Sequence, residues 1–150
     1  MSAPGFYRII VPVDFSDASE EAWTLALKVA ALSDAELVLV HVVPESPFLA
    51  GSPLGAVNVA EVMVKQRHWA ERELAGWVER ARAEGCRARI AVRPGVPHAE
   101  ILAAATDERA DLIVIGTHGR GGFDRALLGS VADRVIRLAP CPVLSTRPAS

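Results

Sequence analysis

Cysteine is scarce in this chain: Cys86 and Cys141 are its only two, and they fall at no metal or redox spacing. A disulfide scaffold, a zinc knuckle and a dithiol redox motif are thereby excluded, and packed, reduced thiols in a cytoplasmic protein are expected. An excess of one charge is also lacking. Sixteen Lys and Arg face eighteen Asp and Glu, for a net charge of −2, and the arginines are scattered among acids. Neither nucleic acid nor an anionic membrane is expected as an electrostatic partner. No apolar run reaches eighteen residues, because Lys28 interrupts the best candidate, so no membrane span is expected. The N-terminal MSAPGFYRIIVPVD has no long apolar core of the kind a secretory signal needs. Internal repeats are absent as well.

Hydrophobic residues make up 51% of the 150 and charged residues 23%, which is the composition of a globular domain. A chain of this length is expected to form one domain, residues 1–150, around one core. YRIIVPVD (7–14) is short, apolar and β-branched, as a strand should be. Ser16 or Asp17 can cap the helix that follows, with Glu20 three residues after Asp17 in capping-box position. Ala22, Leu25, Ala26, Val29 and Ala30 give that helix one apolar face. AELVLVHVV (35–43) is a second strand, and PESPFLAGSPLGA (44–56) a long loop.

Residues 58–84 repeat apolar positions at Val59, Met63, Ala70, Leu74, Trp77 and Ala81, a long helix stopped by Gly85. Strand CRARIAVR (86–93), a helix opened by Pro97, strand DLIVIG (111–116), a helix with Val131, Val135 and Leu138, and strand PVLST (142–146) complete the order. Strands and helices alternate throughout, which predicts an α/β fold, a doubly wound parallel sheet of five strands with helices on both faces. IIVPV and LIVI are apolar on both faces and belong in the middle. The third strand alternates Ala88, Ile90 and Val92 with Arg87, Arg89 and Arg93, the pattern of a charge-protected, half-solvated edge. The expected order is 3-2-1-4-5. Winding reverses between strands one and four, and a ligand belongs in the crevice beyond their carboxyl ends.

Asp14 ends the first of these strands and Gly116 the second, where GTHGRGGFDRALLGS (116–130) begins. Glycines let a ligand approach the main chain, consecutive N–H groups can cradle an anion, and the helix starting at Gly129 and Ser130 favours negative charge. This chemistry suits phosphate. Asp14 can accept from two ribose hydroxyls or cap the first helix; Ser130 can serve as cap and phosphate donor together. His118 is open to phosphate or to solvent, as are Arg120 and Arg125. His41, His68 and His98 have no partners at metal spacing, and Trp23, Trp69 and Trp77 read as helix packing. No lysine stands where a Walker A loop needs one, no dinucleotide fingerprint follows the first strand (VDFSDAS), and the third strand ends in Arg93–Pro94 rather than in acids.

Gly116-x2-Gly119-x9-Gly129-Ser130 is similar to the motif of the ATP-binding branch of the universal stress protein family. VPVDFS, LVHVV, GVPHAEI and LGSVADRVIRLAPCPVL resemble that family too, so the likeness covers nearly the whole chain. The resemblance implies a flavodoxin-like, adenine nucleotide alpha-hydrolase-like domain that binds ATP, with AMP, ADP and an accompanying Mg²⁺ left open, and that forms a homodimer. By the same resemblance, Pro12, Val13 and Asp14 line adenine and ribose, and Val42 meets the adenine. Ile115 and Gly116 lie beside the adenosine; His118, Gly119, Gly129, Ser130 and Val131 hold the phosphates. Ala132 stands where relatives often carry a hydroxyl. No base is clearly placed to activate water, so binding without appreciable turnover is expected, as a stress-response regulator; a nucleotide-independent interaction module and a slow ATPase are the alternatives. The apolar strand five invites antiparallel pairing with a second copy through residues 142–147.

Overall fold

The computed structural model describes residues 5–45, 55–117 and 128–147. Among the described residues five strands and four helices alternate: β1 (Arg8–Pro12), α1 (Asp17–Ser33), β2 (Glu36–Pro44), α2 (Gly55–Ala83), β3 (Arg87–Gly95), α3 (Pro97–Asp107), β4 (Leu112–Gly116), α4 (Ser130–Leu138) and β5 (Val143–Thr146). The strands form one sheet in the order β3-β2-β1-β4-β5. All four pairings are parallel, and β1 sits between β2 (Ile9 beside Leu37) and β4 (Ile9 beside Leu112). The order read from the apolar patterns is the order observed.

Side chains of successive strand residues point to opposite faces, so two cores form. On one face Ile9, Val11, Leu37 and Leu39 meet Trp23 and Ala26 of α1 and Leu74 and Trp77 of α2. On the other, Ile10, Val38, Val40 and Ile113 meet Ile101 and Ala104 of α3 and Ala132 and Val135 of α4. Ile9, Ile10 and Val11 have no exposure at all, which explains why the centre of β1 is apolar on both faces. Burial of such a side chain is worth about 1.5–3 kcal/mol, and the sheet is held by many of them.

Several boundaries differ from the sequence expectation. β1 is shorter than 7–14, because Pro12 brings no ladder N–H and Phe15 turns the chain at φ +64°. Ser16, not Asp17, caps α1: its side chain accepts from the Ser19 N–H at 3.2 Å. Glu20 therefore closes no capping box and instead accepts from the Arg80 guanidinium of α2 at 3.1 and 3.3 Å. α2 begins at Gly55, inside the stretch expected as a loop; residues 46–54 lie outside the described residues. Its end is as expected, with Gly85 at φ +77° and the Cys86 N–H donating back to Ala81. Both cysteines are free, and burial pushes each thiol above its ordinary pKa, so they are held protonated. Among the described residues no helix is long and apolar enough to cross a membrane.

The arginine face of edge strand β3 is ion-paired as well as half-solvated. Arg89 bonds both Glu36, at 3.1 Å, and Glu108 after α3; Arg93 bonds Glu100 and Asp107 at 3.1 and 3.2 Å. The hydrogen bond from Arg89 is the main cause that holds the Glu108 carboxyl below its ordinary pKa, against the opposing effect of burial. A depressed folded-state pKa gives stability that is present above the unfolded value and lost as pH falls through the folded one. Glu108→Gln is expected to cost on the order of 0.5–1 kcal/mol at pH 7 and to flatten the loss of stability below about pH 4. Thermal melts of both proteins from pH 7 to pH 3 check this.

Candidate functional site

A cavity of about 770 Å³ opens at the carboxyl ends of β1 and β4, where the winding reverses. Its size falls within the usual range of small-molecule sites, about 300–1,000 Å³. Pro12, Val13, Asp14, Val42, Ile115 and Gly116 all line it. So do Gly129, Ser130 and Val131, arriving from the far end of the glycine-rich stretch. Nine of the eleven candidate residues thus share one cavity; His118 and Gly119, like Arg120 and Arg125, lie outside the described residues.

The wall after β1 is built by local hydrogen bonds. The Asp14 carboxylate accepts from the Ser16 backbone N–H at 3.0 Å and from the Ser16 hydroxyl. Ser16 in turn caps α1, so Asp14 is fixed at the cavity edge and supports the cap without being it. One residue earlier, the Val13 N–H reaches Val40 across to β2 at 2.8 Å. The Val13 carbonyl lies 2.7 Å from His41 Nδ1. A carbonyl has no proton to give, so Nδ1 carries the hydrogen and the imidazole plane is fixed.

The opposite wall is built from β4 and α4. A Cβ on Gly116 would lie 2.6 Å from the Ala18 carbonyl oxygen, so glycine is required there by the close approach of α1. This is a packing reason, different from the ligand-access reason that the sequence suggests. Thr117 then acts as a clamp. Its N–H and its hydroxyl both donate to the Thr146 carbonyl, at 3.3 and 2.7 Å, and its own carbonyl accepts from the Gly129 N–H at 2.6 Å. Thr117 and Gly129 are therefore held together at the cavity.

That clamp corrects one detail. The helix that begins at Gly129 and Ser130 is expected to offer free N–H groups to an anion; that of Gly129 is spent on Thr117. The first intrahelical bond of α4 runs from Asp133 N–H to the Gly129 carbonyl at 2.9 Å, and Gly129 gives the helix no side-chain cap. The N–H groups of Ser130, Val131 and Ala132 have no place in the intrahelical ladder, and all three residues line the cavity. α1, by contrast, is capped by its own Ser16, and α3 opens with Pro97, which has no N–H to offer. Among the described residues two helix ends at this cavity thus lack a side-chain cap, that of α4 with three such N–H groups and that of α3 with the two of His98 and Ala99.

Sequence reasoning missed the aromatic side. Phe15, His41 and Trp69 line the cavity, with Phe15 4.9 Å from the His41 ring and 4.8 Å, edge to face, from Trp69. Trp69 precedes the buried Ala70 on α2 and is 42% exposed, so it lies off the apolar stripe that marks the helix. Only its type, a large aromatic on the polar side of a helix, signals a role beyond packing.

Residues 5–147 match the model of the universal stress protein family. The chain belongs to that family. Universal stress protein MJ0531 of Methanocaldococcus jannaschii is 38% identical over 139 residues, covering 93% of this chain and 81% of that one. The solved structure of universal stress protein UspA from Lactobacillus plantarum superposes with a TM-score of 0.88 at 26% identity, covering 97% of this chain and all of that one. Two further family structures are complexes. One universal stress protein, with cAMP, has a TM-score of 0.68 at 26% identity over 96% of this chain and 98% of its own. The other, from Archaeoglobus fulgidus with dAMP, has a TM-score of 0.63 at 26% identity over 97% and 98%. This universal stress protein thus shares its fold with relatives that hold adenine nucleotides.

Proposed function

We propose that this universal stress protein binds ATP and acts through occupancy rather than turnover. One observation carries the reading: the uncapped N-terminus of α4 and the Asp14 carboxylate line the same cavity at the point where the sheet reverses. The helix end suits phosphate and the carboxylate suits ribose hydroxyls; the apolar flank at Val13, Val42 and Ile115 suits a base. The relatives solved with cAMP and dAMP support an adenine ligand. The choice of ATP over AMP or ADP rests on the likeness of the glycine motif to the ATP-binding branch of the family, since one phosphate could already accept from all three N–H groups of α4. A helix end contributes about 0.3–1 kcal/mol when exposed, and up to about 2 when partly buried. Micromolar affinity requires about 8 kcal/mol, so base and ribose contacts must supply most of it.

Among the described residues no group of three His, Cys, Asp or Glu could hold a metal. Asp14 and His41, the titratable groups lining the described cavity, are each tied to neighbouring protein atoms, and turnover is expected below about one per second. Denaturing the freshly purified protein and identifying the released small molecules by mass spectrometry tests the reading. An adenine nucleotide is expected. No released nucleotide, together with no heat on titrating ATP, would leave a nucleotide-independent interaction module of the same fold.

A homodimer through β5 belongs to the same proposal. β5 is the sheet edge opposite β3, its residues Val143–Thr146 include no charged side chain, and Leu144 is 37% exposed. Leu144→Asp is expected to convert a dimer into a monomer by light scattering on a sizing column; an unchanged mass would rule out this edge as the interface.

A further inference from the structure

We infer that α2 reads the base of the bound nucleotide, with Trp69 stacking on it and Gln66 testing its polar edge. This rests on the nucleotide reading of the cavity and adds to it the residues that would set base specificity. Gln66 and Trp69 are three residues apart, so they lie on one face of α2, and both line the cavity. Every residue from 60 to 69 except Met63 is exposed, so core packing does not account for what this face of α2 presents. Trp69 is 42% open to solvent on this face, so part of its ring is available to a ligand in the cavity that it lines.

The geometry favours a flat partner. Trp69 meets the Phe15 ring at 4.8 Å with an interplanar angle of 67°, so Phe15 braces it while it lines the cavity. Phe15 is held in turn by His41 at 4.9 Å and by Trp77 at 6.0 Å, and Trp77 packs on the buried Trp23. The ring at the cavity is therefore supported from the core outward, as a stacking platform must be if it is not to collapse onto the space it lines. Gln66 makes no hydrogen bond among the described residues. A side-chain amide carries both donors and an acceptor, and can pair with the N6 and N7 edge of adenine while mismatching guanine. Stacking gives purines an advantage over pyrimidines, and the amide gives adenine an advantage over guanine.

The test uses the full chain, stripped of nucleotide, in calorimetric titrations with ATP, GTP, CTP and inorganic tripolyphosphate. The last probe carries phosphates without a base. Trp69→Ala is expected to weaken ATP about tenfold or more, the scale of a lost base–aromatic stack, and to leave tripolyphosphate unchanged. Trp69→Phe is expected to restore most of the loss. Gln66→Ala is expected to narrow the ATP-to-GTP preference while leaving CTP where it was. Equal losses of ATP and tripolyphosphate in Trp69→Ala would show a purely structural role and overturn the inference. So would unchanged ATP binding, or a base preference that neither substitution moves. A wild-type protein that binds none of the four probes removes the nucleotide reading itself, and this inference with it.

Discussion

Replacing Ser130 with glutamate is expected to weaken ATP binding about 30- to 100-fold while leaving the melting temperature unchanged or slightly higher. The two effects part because one charge acts in two ways. Ser130 is the first residue of α4, a helix whose N-terminus has no side-chain cap. A carboxylate in the first turn interacts favourably with the helix dipole, by about 0.3–1 kcal/mol. The same carboxylate would stand where the phosphates are proposed to lie, and like charges brought together at a binding site cost several kcal/mol. Each 1.4 kcal/mol is a factor of ten in affinity. Ser130→Ala removes only a hydroxyl donor and is expected to cost about three- to tenfold. Calorimetry with ATP, beside thermal melts of the same samples, checks both signs. A glutamate variant that binds ATP normally would move the phosphates away from α4.

The second large effect concerns two glycines that should respond in opposite directions. At Gly116 even a Cβ would lie 2.6 Å from the Ala18 carbonyl oxygen and 2.7 Å from its carbon, both backbone atoms that cannot rotate aside. Gly116→Val adds two further methyls at the same point. A loss of about 3 kcal/mol is expected, the upper end of ordinary overpacking. That corresponds to a fall in Tm of about 6–12 °C for a chain of this size. Gly76 sits on the exposed side of α2, where a Cβ would meet nothing within 4 Å. Gly76→Ala is expected to gain about 1 kcal/mol from helix propensity and a less flexible unfolded chain. Tm measurements on the two variants decide the matter: a Gly116→Val protein as stable as the parent would mean that α1 does not press on the end of β4 as described.

These two glycines also show where a sequence stops being readable. The uniform apolarity of IIVPV and LIVI and the alternation of ARIAVR were enough to order the sheet, because burial on two faces, one face or an edge leaves a direct mark on residue type. Once the order was known, the location of the cavity followed from topology, and nine candidate residues line it. What the pattern could not show was the reason a given residue type is needed. Gly116 reads as an opening for a ligand, yet its first constraint is the backbone of a helix a hundred residues earlier. Gly129 begins a helix whose first N–H groups read as open to an anion, yet its own hydrogen goes to Thr117, a residue that no sequence motif singles out. Ser16 and Asp17 are both competent caps, and only the folded chain shows that Ser16 accepts from the Ser19 N–H.

The aromatic wall was hidden for a related reason. Helical periodicity marks residues that face the core, and Trp69 and Gln66 face a cavity instead. His41 reads as a lone histidine in a strand; its bond to the Val13 carbonyl exists because β1 and β2 lie in parallel register, with Pro12 beside Val40. Residues that meet a ligand without meeting the core carry no periodic signature, and chemistry that depends on register appears only when the strands are paired.

The most direct test of the central claim is a pair of calorimetric titrations of nucleotide-stripped protein, one with ATP and one with adenosine. If the open end of α4 holds phosphates opposite Asp14, ATP binds at least about tenfold more tightly than adenosine, and raising the salt concentration narrows the gap. Equal affinity for the two ligands, or no binding of ATP at all, would contradict it.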